Sequence, residues 1–267
     1  MELEKAFQRA IVYSLSWKRL LITFPVLLLC GILILFCQVL SLHATSWIQL
    51  CLGFLPIFII SGLLLALGVI LTKIYAFEIK NMALNVRRLL ASSMDLIIGI
   101  SYLALPSLLV FIVCWIILGV FYLLKVIPGI GAFFSVVFAF GPFLLIFVSM
   151  LLVVFNLALL FFIAPSATIL TVRKGSIAKK MAELLKTQIL RAAKLFLLGM
   201  VPTAILFAML YFSAHLTNTS FFVSENGLMV AMEWFFMMIP FAALMSPAVV
   251  FFFNFAAESY LLLQKKD

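Results

Sequence analysis

Six stretches of this chain, at 20–42, 47–72, 96–124, 132–164, 195–214 and 234–257, contain no Lys, Arg, Asp or Glu. A helix rises about 1.5 Å per residue, and the hydrocarbon core of a bilayer is about 30 Å thick, so roughly 20 apolar residues cross it. Each stretch reaches that length. Soluble domains are about 45–50% apolar and about 25% charged, whereas this chain is 67% hydrophobic and 10% charged. Alternation of polar and apolar residues is absent, which argues against a β-barrel. The expected fold is therefore all-α: a polytopic membrane helix bundle of six transmembrane helices in one domain over 1–267. The first run is too long for the core of a signal peptide and lacks a small-x-small cleavage pattern, so it reads as a permanent anchor.

The basic residues orient this pattern. Seventeen of the eighteen Lys and Arg residues fall on alternate connections, and only Lys125 lies on the other side. The positive-inside rule then predicts both termini in the cytoplasm. The net charge of +9 is accounted for as a topology signal, and nothing else points to nucleic acid. Tyr13, Trp17, Tyr75 and Tyr260 are placed near the cytoplasmic boundary, with Trp47, Tyr122, Tyr211 and Trp234 near the outer one.

Three cytoplasmic segments carry helical apolar stripes and are expected to lie along the membrane as amphipathic helices. The first has Leu3, Phe7, Ala10, Ile11 and Ser14. The second has Tyr75, Ile79, Met82, Val86, Leu89 and Leu90. The third has Ile177, Met181, Leu184, Leu185, Ile189, Ala192 and Phe196, opposite a basic face. An amphipathic helix followed by two spans suggests a threefold unit at 1–72, 73–164 and 165–267. Pro25, Pro106 and Pro202 in the outward spans, and Pro56, Pro142 and Pro240 in the inward ones, follow the same rhythm. The Ile127-Pro128-Gly129-Ile130-Gly131-Ala132 stretch reads as a turn or a short interfacial piece outside the membrane.

No ionisable residue is expected at the centre of a span, which makes ion-coupled transport a poor fit. Asn156 and Asn254 are the intramembrane polar candidates, read as interhelical hydrogen-bonding residues or as the lining of a head-group cavity. Cys30, Cys37, Cys51 and Cys114 lie within spans without ligand spacing, so no metal or cofactor is predicted. His43, His215, Glu225 and Glu233 would have to converge to form a catalytic site; no HExxH, Walker or GxSxG pattern exists. The strongest positive feature is the basic helix carrying Arg173, Lys174, Lys179, Lys180, Lys186, Arg191 and Lys194. Near an anionic leaflet each such residue contributes about 1 kcal/mol, so contact with anionic phospholipids or a cytoplasmic protein partner is expected.

The run from Pro165 through Arg173-Lys174-Gly175-Ser176-Ile177 into the next span, the Ile127-Pro128-Gly129-Ile130 turn and the Ala6-Phe7 helix together carry a family likeness. The chain resembles a loose bacterial six-span family that includes YciC-type proteins and the membrane domain attached to some glycerophosphodiester phosphodiesterases. That resemblance implies an inner-membrane protein with a lipid-related or envelope role and supplies no catalytic residue. The expected function is non-enzymatic. The alternative is a permease subunit energised by a separate cytoplasmic ATPase.

Overall fold

The computed structural model describes residues 2–42, 44–79, 102–129, 131, 133, 136, 140–169, 187–221 and 227–264. Seven α-helices appear among the described residues. A short helix, α1 (Glu2–Ser14), precedes six long ones: α2 (Trp17–Ser41), α3 (Ser46–Ile79), α4 (Leu105–Val126), α5 (Phe140–Ile169), α6 (Ile189–Phe221) and α7 (Gly227–Gln264). All six long helices are long and apolar enough to cross a membrane. The six-span expectation is therefore met, with shifted boundaries. The chain turns at the described positions of 127–132: Gly129 has φ +84°, which favours glycine, and the Gly131 amide bonds back to the Ile127 carbonyl at 2.8 Å.

The sixth span organises the bundle. α7 packs against α1, α2, α3, α5 and α6. As a result every residue from Ala248 to Tyr260 is buried. A helix enclosed on all sides needs no polar face, and this stretch reads Ala-Val-Val-Phe-Phe-Phe-Asn-Phe-Ala-Ala-Glu-Ser-Tyr. Small residues bring its neighbours close. A Cβ on Gly68 of α3 would lie 2.3 Å from the Phe253 ring, and one on Gly199 of α6 would lie 2.8 and 2.9 Å from the rings of Phe161 and Phe255. These aromatic side chains belong to the larger of two cores. A second core, at the far end of α3, α4 and α5, centres on Phe58, Phe111, Trp115 and Leu118. Trp47 stacks on Trp115 there, with centroids 6.2 Å apart.

Three expectations change. α3 continues unbroken through the proposed repeat boundary at 72/73, so Tyr75 and Ile79 belong to the second span's helix rather than to a separate amphipathic one. The remainder of the second stripe, from 82 onward, lies outside the described residues. Tyr75 and Tyr260, expected near the cytoplasmic boundary, are enclosed by protein, each 1% exposed. α1 is anchored to protein: Ala6, Ala10 and Ser14, spaced four apart, form a narrow face buried in the bundle, and Phe7 meets the rings of Phe251 and Phe255 edge-on. Small residues at that spacing let two backbones approach closely. Leu3 and Ile11, expected on the apolar stripe, stay exposed.

Candidate functional site

The helices extend past their uncharged runs where the chain termini meet, and the extensions carry charge. Arg19 lies in the first turn of α2, Glu78 at the end of α3 and Glu258 near the end of α7. Arg19 opposes its own helix macrodipole, which favours anions at the N-terminus. The placement of the three charges is explained by one another.

Arg19 is fully buried. Its Nη2 donates to Glu78 Oε2. Its Nη1 donates to Asn254 Oδ1 at 2.8 Å and to the Tyr13 carbonyl at 3.3 Å. The guanidinium also sits over two rings, 5.4 Å from the Tyr13 centroid and 5.0 Å from that of Tyr75. Cation–π contacts of this kind contribute about 0.5–2 kcal/mol. Thr23, one turn on and equally buried, donates to the Arg19 carbonyl at 2.9 Å. α2, α3, α7 and the end of α1 therefore converge on one side chain.

A second pair adjoins the first. Glu258 is 3% exposed and accepts from Tyr75 Oη at 2.7 Å and from Arg9 Nη2 at 3.1 Å. Asn254 Nδ2 donates to the Ala10 carbonyl at 3.4 Å. Tyr75 joins the two pairs: its ring faces Arg19, and its hydroxyl binds Glu258. The cluster holds two cations and two anions and is formally neutral, which is the condition for keeping charge at low dielectric. Among the described residues the buried charged side chains are Arg19 and Glu258, and each has an opposite partner.

The predicted polar residues separate. Asn254 belongs to this cluster, whereas Asn156 lies on α5 and accepts from Ser107 of α4 at 2.8 Å. Both act as interhelical hydrogen-bonding residues, one of the two readings the sequence offered. Arg173, Lys174, Lys179, Lys180 and Lys186 fall outside the described residues. Arg191 and Lys194 occupy the first two turns of α6, half-buried and exposed respectively. Of the same predicted stripe, Ala192 and Phe196 pack inward, with Ala192 1% exposed, whereas Ile189 is exposed. His43 and Glu225 are not among the described residues.

Sequence reasoning missed Arg19, Tyr75, Glu78 and Glu258 as a unit, because charges near span ends read as topology signals. A usable hint existed: Asn254 and Glu258 are one turn apart, as are Tyr75 and Glu78, so each pair shares a helix face.

A groove of about 210 Å³ lies beside the cluster, between α1, α6 and α7. Phe7, Ile11 and Ser14 form one wall, Pro202 and Leu206 a second, and Pro247 and Phe251 the third. Proline removes an amide donor and its ring crowds the preceding turn. Pro202 and Pro247 line this groove from α6 and α7.

No protein-family model matches this chain, and neither a curated protein nor a solved structure does.

Proposed function

We propose that the chain is a non-enzymatic, multi-pass protein of the cytoplasmic (inner) membrane with a lipid-related or envelope-organising role. Both termini face the cytoplasm in this reading, and the basic segments at that face contact anionic phospholipid or a protein partner. The YciC-type resemblance points the same way. The supporting observation is that, among the described residues, the buried side chains of Arg19 and Glu258 are each paired with an opposite charge. A protein that couples transport to an ion gradient needs a titratable or ion-binding group free to change partners, and intramembrane ionisable residues usually mark such groups. Arg19 and Glu258 are committed to holding helices together, and in this reading the basic, termini-bearing face is where interaction takes place.

The test is purification in a mild detergent followed by identification of bound lipids and proteins. Neutralising Lys179, Lys180, Lys186 and Arg191 together should lower the enrichment of anionic phospholipid or release a bound partner. Unchanged enrichment and partners, in a variant of correct topology, would refute the reading. A co-purifying nucleotide-binding subunit would instead favour the permease alternative.

A further inference from the structure

We propose that the second half of α1 is sunk into the bilayer at the edge of the hydrocarbon, so that the chain enters the membrane before its first span begins. The partner of this surface is the lipid of the leaflet on the termini-bearing side. The proposal needs only the membrane class of the fold, and it stands or falls apart from the lipid-related role above.

Charge is divided along the length of α1. Glu2, Glu4, Lys5 and Arg9 all precede Ala10, and the stretch Ala10-Ile11-Val12-Tyr13-Ser14-Leu15-Ser16-Trp17 carries no charge. The bundle covers one side of this stretch, through Ala10 and Ser14. Val12 lies two positions from each of them, which turns it about 200° away from the bundle. It is 71% exposed, Leu15 is 67% exposed and Trp17 77%, and Ile11 is exposed beside them. Trp17 and Leu21, one turn apart on α2, are both exposed. The apolar surface of α1 therefore continues onto the outer side of the first membrane-spanning helix, which begins at Trp17.

Contacts with the spans set the depth of this surface. Arg9 is bonded to Glu258, the first charge after the uncharged run 234–257. Ile11 and Ser14 instead share a groove with Pro247 and Phe251 of α7 and with Pro202 and Leu206 of α6. Those four residues lie well inside the uncharged runs 234–257 and 195–214. α1 thus lies across the hydrocarbon boundary, with Arg9 on its water side and Ile11 on its lipid side. Glu4 shares the Ile11 side but lies two turns nearer the N-terminus, so the helix slopes: its charged half stays among the head groups and its uncharged half reaches the acyl chains. Helices of this kind bury their apolar side about 5–10 Å into the head-group and acyl boundary. Trp17 suits that level, since an indole prefers the interface. Lys5 and Lys18, both exposed, can lay their stems on the apolar surface and hold their ammonium groups at the lipid phosphates.

The test measures depth along α1 in vesicles of dioleoyl phosphatidylcholine and dioleoyl phosphatidylglycerol. Cys30, Cys37, Cys51 and Cys114 are replaced by Ala, and a nitroxide label is attached in turn to Glu4→Cys, Gln8→Cys, Val12→Cys and Leu15→Cys, all at exposed positions. Electron paramagnetic resonance compares collisions with oxygen, which concentrates in hydrocarbon, and with a nickel chelate, which stays in water. The oxygen-to-nickel ratio should be several-fold higher at 12 and 15 than at 4 and 8. A ratio as low at 12 and 15 as at 4 would overturn the proposal. Exclusion of both reagents from 12 and 15 would overturn it too, because it marks a cover of protein, from this chain or a second copy. Should the cysteine-free chain fail to fold, a phospholipid with a diazirine in its acyl chain is applied to the unmodified protein in the same vesicles. Labelling of Ile11, Val12, Leu15 or Trp17 with none on 2–9 supports the site, and labelling that begins only beyond Trp17 refutes it. Deep labels at 12 and 15, in a protein that enriches no anionic lipid and holds no partner, would leave this surface standing while the functional reading falls.

Discussion

Removing the positive charge from Arg19 should cost far more than its position at the edge of a span suggests. Arg19→Met keeps most of the side-chain volume but leaves Glu78 without its cation and Asn254 Oδ1 without its donor, and it removes two ring contacts. Breaking a buried ion pair by deleting one partner costs about 3–5 kcal/mol. The Glu78 side chain is 19% exposed, so water recovers part of that penalty and about 3 kcal/mol is expected. In a chain of this size 1 kcal/mol moves Tm by about 2–4 °C, giving a drop of roughly 6–12 °C. Arg19→Met combined with Glu78→Gln removes both charges together and should lose only about 1 kcal/mol, because replacing a whole buried pair is often close to neutral. Thermal unfolding of the four species of this cycle in detergent measures the coupling. Lys18→Met, one residue away but exposed, is the control and should melt within about 1–2 °C of the unmodified protein. An Arg19→Met variant that melts with the Lys18 control would refute the reasoning, as would a double variant whose loss equals the sum of the singles.

Other positions test the same packing logic. Gly68→Ala should destabilise by about 1–3 kcal/mol, since its Cβ would fall 2.3 Å from the buried Phe253 ring; adding Phe253→Leu should return part of the loss in the same melting assay. Glu258→Ala strands the buried Tyr75 hydroxyl and should cost about 1–3 kcal/mol. Glu258→Gln keeps an acceptor there and should cost less, and Arg9→Ala, at a half-exposed site, should cost under about 1 kcal/mol; an equal loss for all three would contradict the geometry. Asn156→Leu should fall within about 1 kcal/mol of neutral by urea or thermal unfolding, because the Asn156 amide nitrogen is buried without a partner and only the Ser107 bond is lost.

Hydropathy read the spans correctly because membrane insertion is close to a local property: each run carries its own transfer free energy whatever its neighbours are. Where helices end is less local. α3 and α7 continue to Ile79 and Gln264, beyond the last residues of their uncharged runs, because packing and ion pairing hold the extra turns. Asn254 was visible as a polar residue in an apolar run, but its partner is 235 positions away. The amphipathic stripe of α1 was legible in part. Its Phe7, Ala10 and Ser14 turn inward as the periodicity requires, yet the face extends to Ala6 and excludes Leu3 and Ile11. A neighbouring helix rewards small residues that permit close approach, and a hydrophobicity count gives alanine little weight.

What the amino-acid sequence determined alone is the class of solvent and the number of crossings, because runs without charge have no low-energy place except hydrocarbon. What only the tertiary structure decided is which charges are signals and which are joints. Arg9, Arg19, Glu78 and Glu258 look alike in a linear reading: ionisable residues at the margins of apolar runs. In the fold, α7 passes through the centre of the bundle and draws α1, α2 and α3 onto itself, so these four become a neutral cluster around the buried Arg19 and Glu258. The reason is the range of the interactions. Transfer into lipid is summed residue by residue along the chain. A buried ion pair exists only when two segments, 59 or 249 positions apart, are brought within about 3–4 Å.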